Sequence, residues 1–342
     1  MNHLHRICIV PTYAGVGGPA SFRMRFTAEA ERQGLEICNH LDDHPYDAVM
    51  VIGGTRQLGR LWQVRQAGIP IVQRLDGFNW IHRQVKVSPA YWVRAELRTW
   101  ILRIIRSCLA TRIVYQSQFV VENWNKAFGE VDTPFDVIYN GVDLNDFSPD
   151  GPGEPPTDRL RINLVEGAYH GGHDIGLKIA MDLAKRLVDE YQLDVELNIA
   201  GEIAPAVQEK WDSYASVPVN WLGVIDRAAV PELHRSAHLY FSSEINAPCP
   251  NSVIEALACG LPVAAFDTGS LPQIVTGDAG RVVPFGADPW KLESPDIPAL
   301  AEAVMEIYQD QPRFRKAARQ RAVEAFNIQH VVTCYLEALR NA

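Results

Sequence analysis

The chain has 342 residues, of which 47% are hydrophobic and 21% charged, a composition that excludes disordered, collagen-like and coiled-coil proteins. Acidic residues outnumber basic ones by 41 to 32, and the resulting net charge of −9 argues against nucleic acid as a partner. At roughly 150 residues per domain, the length predicts two domains.

The six cysteines are scattered along the chain and form no C-x-x-C pair, so we expect free thiols, a reducing compartment and no structural zinc. The first ten residues lack the apolar run of a signal peptide. No uncharged apolar run reaches the ~18 residues that cross a bilayer. These features predict a cytoplasmic protein that is soluble or attached peripherally to the inner face of a membrane.

Short apolar strands alternate with helical patterns through the first half of the chain. A strand at 7–10 runs into a glycine-rich turn, and a helical stretch follows from Ala20 to Gln33. Further strands are predicted at 48–52, 70–74 and 112–115, with helices at 57–67 and 91–109. This alternation predicts a parallel sheet covered on both faces.

The second half repeats the pattern after a turn-rich break at 151–156, the best candidate for a linker. Strands are predicted at 161–165, 194–199, 219–222, 238–242, 262–266 and 281–283. Helices are predicted at 175–191, 205–214, 229–236, 252–259, 297–309 and 313–325, with another from residue 329. The chain therefore divides into an N-terminal domain over 1–150, a C-terminal domain over 151–312 and final helices over 313–342. Ligands of such doubly wound sheets bind beyond the carboxyl ends of the strands.

The segment 243–263 carries the most information about function. Asn251 and Ser252 can cap a helix whose N-terminus offers backbone N–H groups and a positive dipole end to a diphosphate. Glu255 lies one turn inside that helix and could accept hydrogen bonds from ribose hydroxyls. Taken alone, Glu255 is better explained as a surface glutamate stabilised by the helix dipole.

This segment resembles the signature of retaining glycosyltransferases of family four, which have the GT-B architecture. In that family a Glu-x7-Glu motif precedes an alanine-rich turn and Gly-x-Pro-Val. Here Glu255 aligns with the second glutamate, and 256–263 follows the same pattern. The stretches 17–18, 116–119, 139–149, 266–275 and 280–284 also resemble the family and occur in the expected order.

The resemblance implies an α/β fold of two facing Rossmann-like, doubly wound domains, with the final helices packing back on the N-terminal domain. It implies retaining, metal-independent transfer of a sugar from a nucleotide-sugar donor to a glycan or lipid-linked acceptor, without a cofactor. A non-catalytic GT-B protein that binds a nucleotide or sugar is the alternative function. A GT-B epimerase fits 244–263 less well, and a nicotinamide oxidoreductase would need a G-x-G-x-x-G after the first strand.

The same resemblance assigns roles to individual residues. Glu255 would hold the ribose, the backbone at Asn251 and Ser252 the diphosphate, and Val224 and Ile225 the base. Asp76 and Glu244 are the candidate catalytic residues. The candidate donor-binding residues are Gly17, Gly18, Arg74, His170, Gly171, Gly172, Val224, Ile225, Asn251, Ser252 and Glu255. No metal ligand is expected.

Three positions depart from the family. Ala247 occupies the place of the first glutamate, so Glu244 would substitute only if the loop is rearranged. Gly171 stands where a Lys or Arg is usual. His170 or His173 could act as a weak cation in its place, or the glycines could bind phosphate through their backbone groups. The alternative is a loop that only caps the following helix. Arg74 ends a predicted strand and Asp76 follows it, where the family often has His or Asp, and an Arg–Asp pair that orders a turn is the alternative.

Residues 91–106 combine two tryptophans, several aliphatic residues and several arginines with one glutamate. That composition suits a helix that lies on an anionic bilayer. The alternative is a domain helix with one core face and a solvated basic edge.

Overall fold

A computed structural model describes residues 4–13, 15, 17–169 and 174–342. The chain forms two compact units, the first comprising Met1–Gly141 with Asn327–Ala342 and the second Val142–Phe326. Across the described ranges, no helix is both long and apolar enough to cross a membrane.

The first unit is built on a parallel sheet of six strands within the part of the chain that the structure describes. The strands are β1 (Arg6–Val10), β2 (Glu36–Cys38), β3 (Ala48–Ile52), β4 (Ile71–Leu75), β5 (Arg112–Tyr115) and β6 (Phe135–Val137). Their order in the sheet is β2-β1-β3-β4-β5-β6. The chain thus reverses direction across the sheet between β1 and β3, and ligands of such folds bind at this switch.

The helices of the first unit cover both faces of this sheet. They are α1 (Gly18–Arg32), α2 (Leu58–Gln66), α3 (Pro89–Ile104), α4 (Gln118–Phe128) and, at the end of the chain, α12 (Ile328–Arg340). One core joins α1 and α12 to β1 and β3, and the opposite face of the sheet packs on α2 and Ile105–Leu109. All five residues of β3 and of β4 are buried, as expected for central strands of a covered parallel sheet.

The second unit repeats the architecture with another parallel sheet of six strands, counted over the described residues. The strands are β7 (Leu160–Ala168), β8 (Val195–Glu202), β9 (Val219–Gly223), β10 (Leu239–Phe241), β11 (Val263–Phe266) and β12 (Gly280–Val283). Their order is β12-β11-β10-β7-β8-β9, which places the switch between β7 and β10. The helices are α5 (Ile175–Tyr191), α6 (Pro205–Tyr214), α7 (Val230–Arg235), α8 (Asn251–Ala258), α9 (Leu271–Ile274), α10 (Ile297–Gln309) and α11 (Gln311–Ala325).

The α/β fold class with two Rossmann-like domains is confirmed. Helices α6 and α10 begin and end at the predicted residues. The predicted helix over 91–109 instead ends at Ile104 and continues as a wider π-helical turn over Ile105–Leu109. The strands β2 and β6 were not predicted, because each has only three residues and no fully buried run.

Within the second unit, the segment after Asp143 is held in place by Arg319. Its guanidinium donates to the carbonyl oxygens of Leu144 at 3.0 Å, Phe147 at 2.7 Å and Ala258 at 2.6 Å. Backbone carbonyls that lack partners are costly to bury, and a guanidinium can satisfy several at once. The stretch that resembles the family at 139–149 is therefore held, after Asp143, by contacts within the second unit.

Candidate functional site

In the second unit, the carboxyl ends of β7 and β10 carry two glutamates side by side. The register of β7 against β8 shifts between Val165 and Ala168, so Glu166 lies in a β-bulge. Bulges re-aim a side chain and are frequent next to binding sites. Ser243, just after β10, donates its hydroxyl to Oε1 of Glu166 at 2.9 Å. Glu244 is the residue that follows Ser243.

The electrostatics of this pair favour one bound proton. Burial raises the pKa of Glu166, and the charge of Glu244 raises it further, whereas the Ser243 hydrogen bond opposes the change. Two carboxylates close together in a desolvated place cannot both ionise without a large electrostatic cost. The arrangement can therefore offer a hydrogen-bond donor and an acceptor to one ligand.

Two buried tyrosines border the pair. Tyr240 on β10 donates its hydroxyl to the carbonyl of Val165 at 2.9 Å. Burial raises the pKa of Tyr240, and the charges of Glu166 and Glu255 raise it further, so this side chain is within electrostatic range of both glutamates. Tyr169 is fully buried, with its hydroxyl beside the Ser243 side chain and within range of the charge of Glu166.

The helix α8 starts beside this pair without a side-chain cap. Its N-cap is Pro250, which makes no capping hydrogen bond. The prediction that Asn251 and Ser252 cap the helix is therefore wrong, because both residues already belong to its first turn. Their backbone N–H groups have no partner within the helix, and Glu255 is half-buried one turn further on.

The loop between β10 and α8 carries Ala247 at the place of the family's first glutamate. Ala247 is fully buried, and its backbone packs so closely on Gly269 that a Cβ at Gly269 would lie 2.4 Å from the Ala247 carbonyl oxygen. Asn246 adopts a left-handed backbone conformation with φ of 57°, which asparagine tolerates better than most residues. The position of the missing glutamate is thus an interior position of the loop, while Glu244 is half-buried.

The predicted base-binding residues follow β9 at the same edge of the sheet. Val224 is 59% exposed and Ile225 is half-buried. An exposed apolar side chain beyond a strand end can support a flat ring such as a nucleobase. The predicted donor-binding residues His170, Gly171 and Gly172, together with His173, lie outside the described residues.

In the first unit, Gly17 is the N-cap of α1, and Gly18 is the first residue of that helix. A Cβ on Gly17 would meet no described atom within 4 Å, so the start of the helix is open. Gly17 has φ of −67°, so it is not the left-handed glycine of a turn, and the left-handed glycine of this segment is Gly15. The open start of α1 therefore favours a role in binding an anion over a role as a strained turn.

Arg74 lies inside the first unit, with 1% of its surface exposed. Its Nη2 donates to Oδ1 of Asn140 at 2.6 Å, and its guanidinium stacks 3.8 Å from the centroid of the Phe22 ring. Its Nε has no hydrogen-bond partner among the described residues. Arg74 makes no ion pair with Asp76 within the described residues, although its charge acts on the Asp76 carboxyl group.

Asp76 is half-buried just beyond β4. Burial raises the pKa of Asp76, and the positive charge of Arg74 opposes the change. Tyr13 donates its hydroxyl to the carbonyl of Ile52 at 2.8 Å. Burial and the charge of Asp76 raise the pKa of Tyr13 to about 12. Asp76, Arg74 and Tyr13 thus form one polar cluster at the carboxyl ends of the strands.

The described residues contain no group of three or more His, Cys, Asp or Glu side chains with the geometry of a metal site. Sequence reasoning missed Glu166, Tyr169 and Tyr13. Glu166 had a signal, because it is a carboxylate directly after an apolar strand in a doubly wound domain. Tyr13 and Tyr169 had none, since a tyrosine in a loop is common.

The family model of the glycosyl transferases group 1 matches residues 165–310. Alpha-maltose-1-phosphate synthase of Mycolicibacterium smegmatis is 27% identical over 221 residues, covering 60% of this chain and 56% of that protein. GDP-mannose-dependent alpha-(1-6)-phosphatidylinositol dimannoside mannosyltransferase of Mycobacterium tuberculosis is 30% identical over 148 residues, covering 43% of this chain and 36% of that protein. The matches thus span about half or less of these relatives' own length.

Among solved structures, the sucrose-phosphate synthase of Thermosynechococcus elongatus is similar over 98% of both chains, with a TM-score of 0.74 and 16% identity. This likeness supports the two-domain fold of the GT-B glycosyltransferases. The matched region contains Glu166, Glu244 and all of α8. The recognition made from the sequence is confirmed, since residues 165–310 match the glycosyl transferases group 1 and the relatives are glycosyltransferases by name.

Proposed function

We propose that the protein transfers a sugar from a nucleotide-sugar donor to a hydroxyl of a glycan or lipid-linked acceptor, with retention at the anomeric carbon and without a metal. The observation that carries this proposal is the start of α8: an uncapped helix N-terminus with Glu255 one turn inside, within the stretch that matches the family. Such a terminus binds a diphosphate through its N–H groups and dipole, and the glutamate suits ribose hydroxyls.

The remaining site residues fit the stages of this reaction. The bond between the anomeric carbon and the diphosphate breaks, and the acceptor oxygen forms a new bond on the same face of the sugar. The acceptor proton passes to the departing diphosphate, whose negative charge α8 stabilises. Glu244 would contact the donor sugar, and Asp76 would contact the acceptor or the sugar. Val224 and Ile225 would support the base.

Gly17 leaves the start of α1 open for the approach of a phosphate, and Gly18 begins the helix there. We assign Arg74 a positioning role in this region, because its guanidinium is buried and holds Asn140. A lipid-linked acceptor also accounts for the exposed basic and apolar face of α3. There we infer peripheral contact with an anionic membrane.

A second candidate is a GT-B protein that binds a nucleotide or sugar and no longer transfers. The buried Ala247 favours it, because the chain has no carboxylate at the position of the usual first glutamate. The two functions differ in turnover. A transferase releases free nucleoside diphosphate from its donor, whereas a binding protein returns the donor intact.

The experiment is a thermal-shift screen of the full chain with UDP, GDP, ADP, CMP and their common sugar conjugates. One base should raise the apparent melting temperature, by an amount equivalent to about 2.7 kcal/mol when the ligand is at 100 times its Kd. Glu255→Ala should abolish that shift. Glu302→Ala, which removes an exposed glutamate on α10, serves as the matched control.

Donor turnover with a labelled sugar then separates transfer from binding alone. Loss of the shift in the Glu302 variant as well would mean that the Glu255 effect is nonspecific. If no nucleotide shifts the melting temperature of the parent protein, the proposed function is wrong.

A further inference from the structure

We propose that the acceptor of the transfer carries a phosphate group, and that Arg56 and Arg98 bind this group beyond the carboxyl ends of the strands of the first unit. The proposal deepens the proposed function and rests on it. It names the chemical class of the acceptor, and it adds two residues for which the family resemblance implied no role.

The first observation is that the charges of the chain are divided unequally between its two units. The first unit has 17 basic and 13 acidic residues, and the second has 15 basic and 28 acidic residues. The first unit is therefore positive although the whole chain is negative. Within residues 53–106 alone, ten residues are basic and two are acidic. A positive field concentrated on one part of a protein raises the local concentration of anionic ligands.

The second observation is that the fold brings several of these basic residues to the edge of the sheet where ligands bind. Because α3 connects the adjacent parallel strands β4 and β5, it starts at the carboxyl ends of the strands and runs back from them. Arg56 lies shortly after β3, Lys86 between β4 and α3, and Arg94 and Arg98 in the first three turns of α3. All four side chains are exposed.

A contact between the end of β3 and α3 relates Arg56 to Arg98. A Cβ on Gly53 or Gly54 would lie 3.7 Å or 3.1 Å from Cδ2 of Leu102. Arg56 follows these glycines by two residues, and Arg98 precedes Leu102 by one helical turn, on the same side of the helix. Both arginines therefore lie on the carboxyl side of one packing contact.

Neither arginine is occupied by another side chain of the protein. Among the described residues, Arg56 and Arg98 make no ion pair and no side-chain hydrogen bond. The acidic residue of α3, Glu96, is already bound through both carboxylate oxygens by Arg83, at 2.8 and 2.9 Å. Guanidinium groups present paired N–H donors that match the oxygens of a phosphate. Two available arginines therefore favour a phosphate over a neutral group.

The same place holds the residue that is proposed to contact the acceptor. Tyr13 donates its hydroxyl to the carbonyl of Ile52 at 2.8 Å, and a Cβ on Gly53 would lie 3.6 Å from that hydroxyl. The charges of Asp76 and Arg98 both act on the Tyr13 hydroxyl, so both lie within electrostatic range of it. One acceptor can thus direct a hydroxyl toward Asp76 and its phosphate toward the arginines.

The test measures binding of matched probes to the full chain by calorimetry, with UDP or GDP at saturation so that a diphosphate site at α8 is filled. Glucose-6-phosphate is compared with glucose, mannose-6-phosphate with mannose, and dibutanoyl phosphatidylinositol with free inositol. Inorganic phosphate measures the bare anion. We expect the phosphorylated member of at least one pair to bind about tenfold or more tightly than its neutral partner. The pair that responds shows whether the phosphate belongs to a free sugar or to a lipid headgroup.

Three variants then locate the effect. R56Q/R98Q should weaken binding of the phosphorylated probe about tenfold or more and leave the affinity for UDP or GDP unchanged. R56K/R98K keeps the charges without the paired N–H groups and should restore only part of the affinity. R65Q/R340Q removes two exposed arginines from the last turns of α2 and α12 in the same unit, and this matched control should bind like the parent protein.

Equal affinity of the parent protein for both members of every pair, without binding of inorganic phosphate, overturns this proposal. So does a preference for phosphate that survives in R56Q/R98Q. If R56Q/R98Q loses binding only to vesicles that contain phosphatidylglycerol, the arginines belong to a membrane-binding surface and the proposal is again wrong. A chain that binds UDP or GDP in these experiments still supports the proposed function. A chain that binds no nucleotide at all overturns the proposed function first.

Discussion

At the scale of single residues, the second unit buries two histidines that the proposed reaction does not use. His234 on α7 is fully buried, with no hydrogen-bond partner for either ring nitrogen among the described residues. His238 accepts a hydrogen bond from the backbone N–H of Arg161 at 3.0 Å. Burial lowers the pKa of His234 to about 3 and that of His238 to about 4, and nearby arginine charges lower both further.

These histidines predict a loss of stability in mild acid. Unfolded histidine has a pKa of about 6.5, so below that pH the unfolded chain binds protons that the folded chain does not. The stability is fully present above pH 6.5. It falls as the pH drops toward 4, by roughly 1.4 kcal/mol per pH unit for each group. Denaturant unfolding between pH 7.5 and pH 4.5 measures this slope.

His234→Leu should remove the contribution of that histidine to the slope. His40→Gln, at an exposed position in the first unit, should leave the slope as it is. A slope that is the same in the His234 variant and the parent protein would contradict the assignment. The result also bears on the site, because His234 packs edge-on against the Tyr240 ring at 5.8 Å.

The sequence was most informative at residues whose role depends on local chemistry. Glu255 and Val224 lie at strand or helix ends that the motif spacing predicts, and the structure places them there. It was least informative where the role depends on a backbone irregularity. Nothing in the local residues of β7 indicates the bulge that re-aims Glu166, because the register shift is a property of the β7–β8 pairing.

At the scale of elements, α3 is the helix of the first unit whose large apolar side chains are not accounted for by packing in the core. Its buried residues are Ala95 and Thr99, whereas Trp92, Leu97 and Trp100 are 46%, 56% and 57% exposed. Exposed large apolar side chains grouped on one element mark an interaction site. The exposed arginines of the same helix give this face a positive charge, and its glutamate, Glu96, is paired with Arg83 at 2.8 Å.

This face predicts binding to anionic lipid. The full chain should sediment with vesicles that contain phosphatidylglycerol and remain in solution with vesicles of phosphatidylcholine alone. Replacing Arg94, Arg98 and Arg103 with glutamate should abolish sedimentation, since each basic residue near an anionic surface contributes about 1 kcal/mol. The matched control replaces the exposed Arg65, Lys126 and Arg340 of the same unit with glutamate. Failure of the parent protein to bind anionic vesicles would exclude membrane contact through α3.

The elements themselves were predictable where amphipathic periodicity or long apolar runs are strong. The bounds of α5, α6 and α10 match their predicted ranges. The predicted helix over 91–109 was too long because the apolar and basic residues continue through Ile105 to Leu109. There the backbone widens into a π-helical turn that places Arg106 against the Tyr115 hydroxyl at 2.8 Å. Such a turn has no distinct residue pattern, so the sequence alone does not reveal it.

At the scale of the whole molecule, the chain leaves the first unit after Gly141 and returns to it for its last sixteen residues, Asn327–Ala342. The returning helix α12 buries seven residues, and among them Tyr335 lies 5.1 Å from the ring of Phe22 on α1. Its sequence pattern indicates an amphipathic helix, but not the surface that it covers. That surface could be inferred only from the family resemblance, because contacts distant in sequence leave no local signal.

The position of α12 predicts that the first unit depends on the end of the chain. Deleting 327–342 would expose one face of the core around Ile7, Phe22 and Phe26. Each large aliphatic side chain removed from that core costs about 1.5–3 kcal/mol, and several are lost together. The total is of the same order as the ~5–15 kcal/mol that stabilises a typical domain.

Hydrogen exchange should therefore show loss of protection in β1 and β3, while β7 and β8 of the second unit stay protected. Deleting only residues 341–342, beyond α12, is the control. Protection of β1 and β3 that survives the longer deletion would show that the first unit folds without α12.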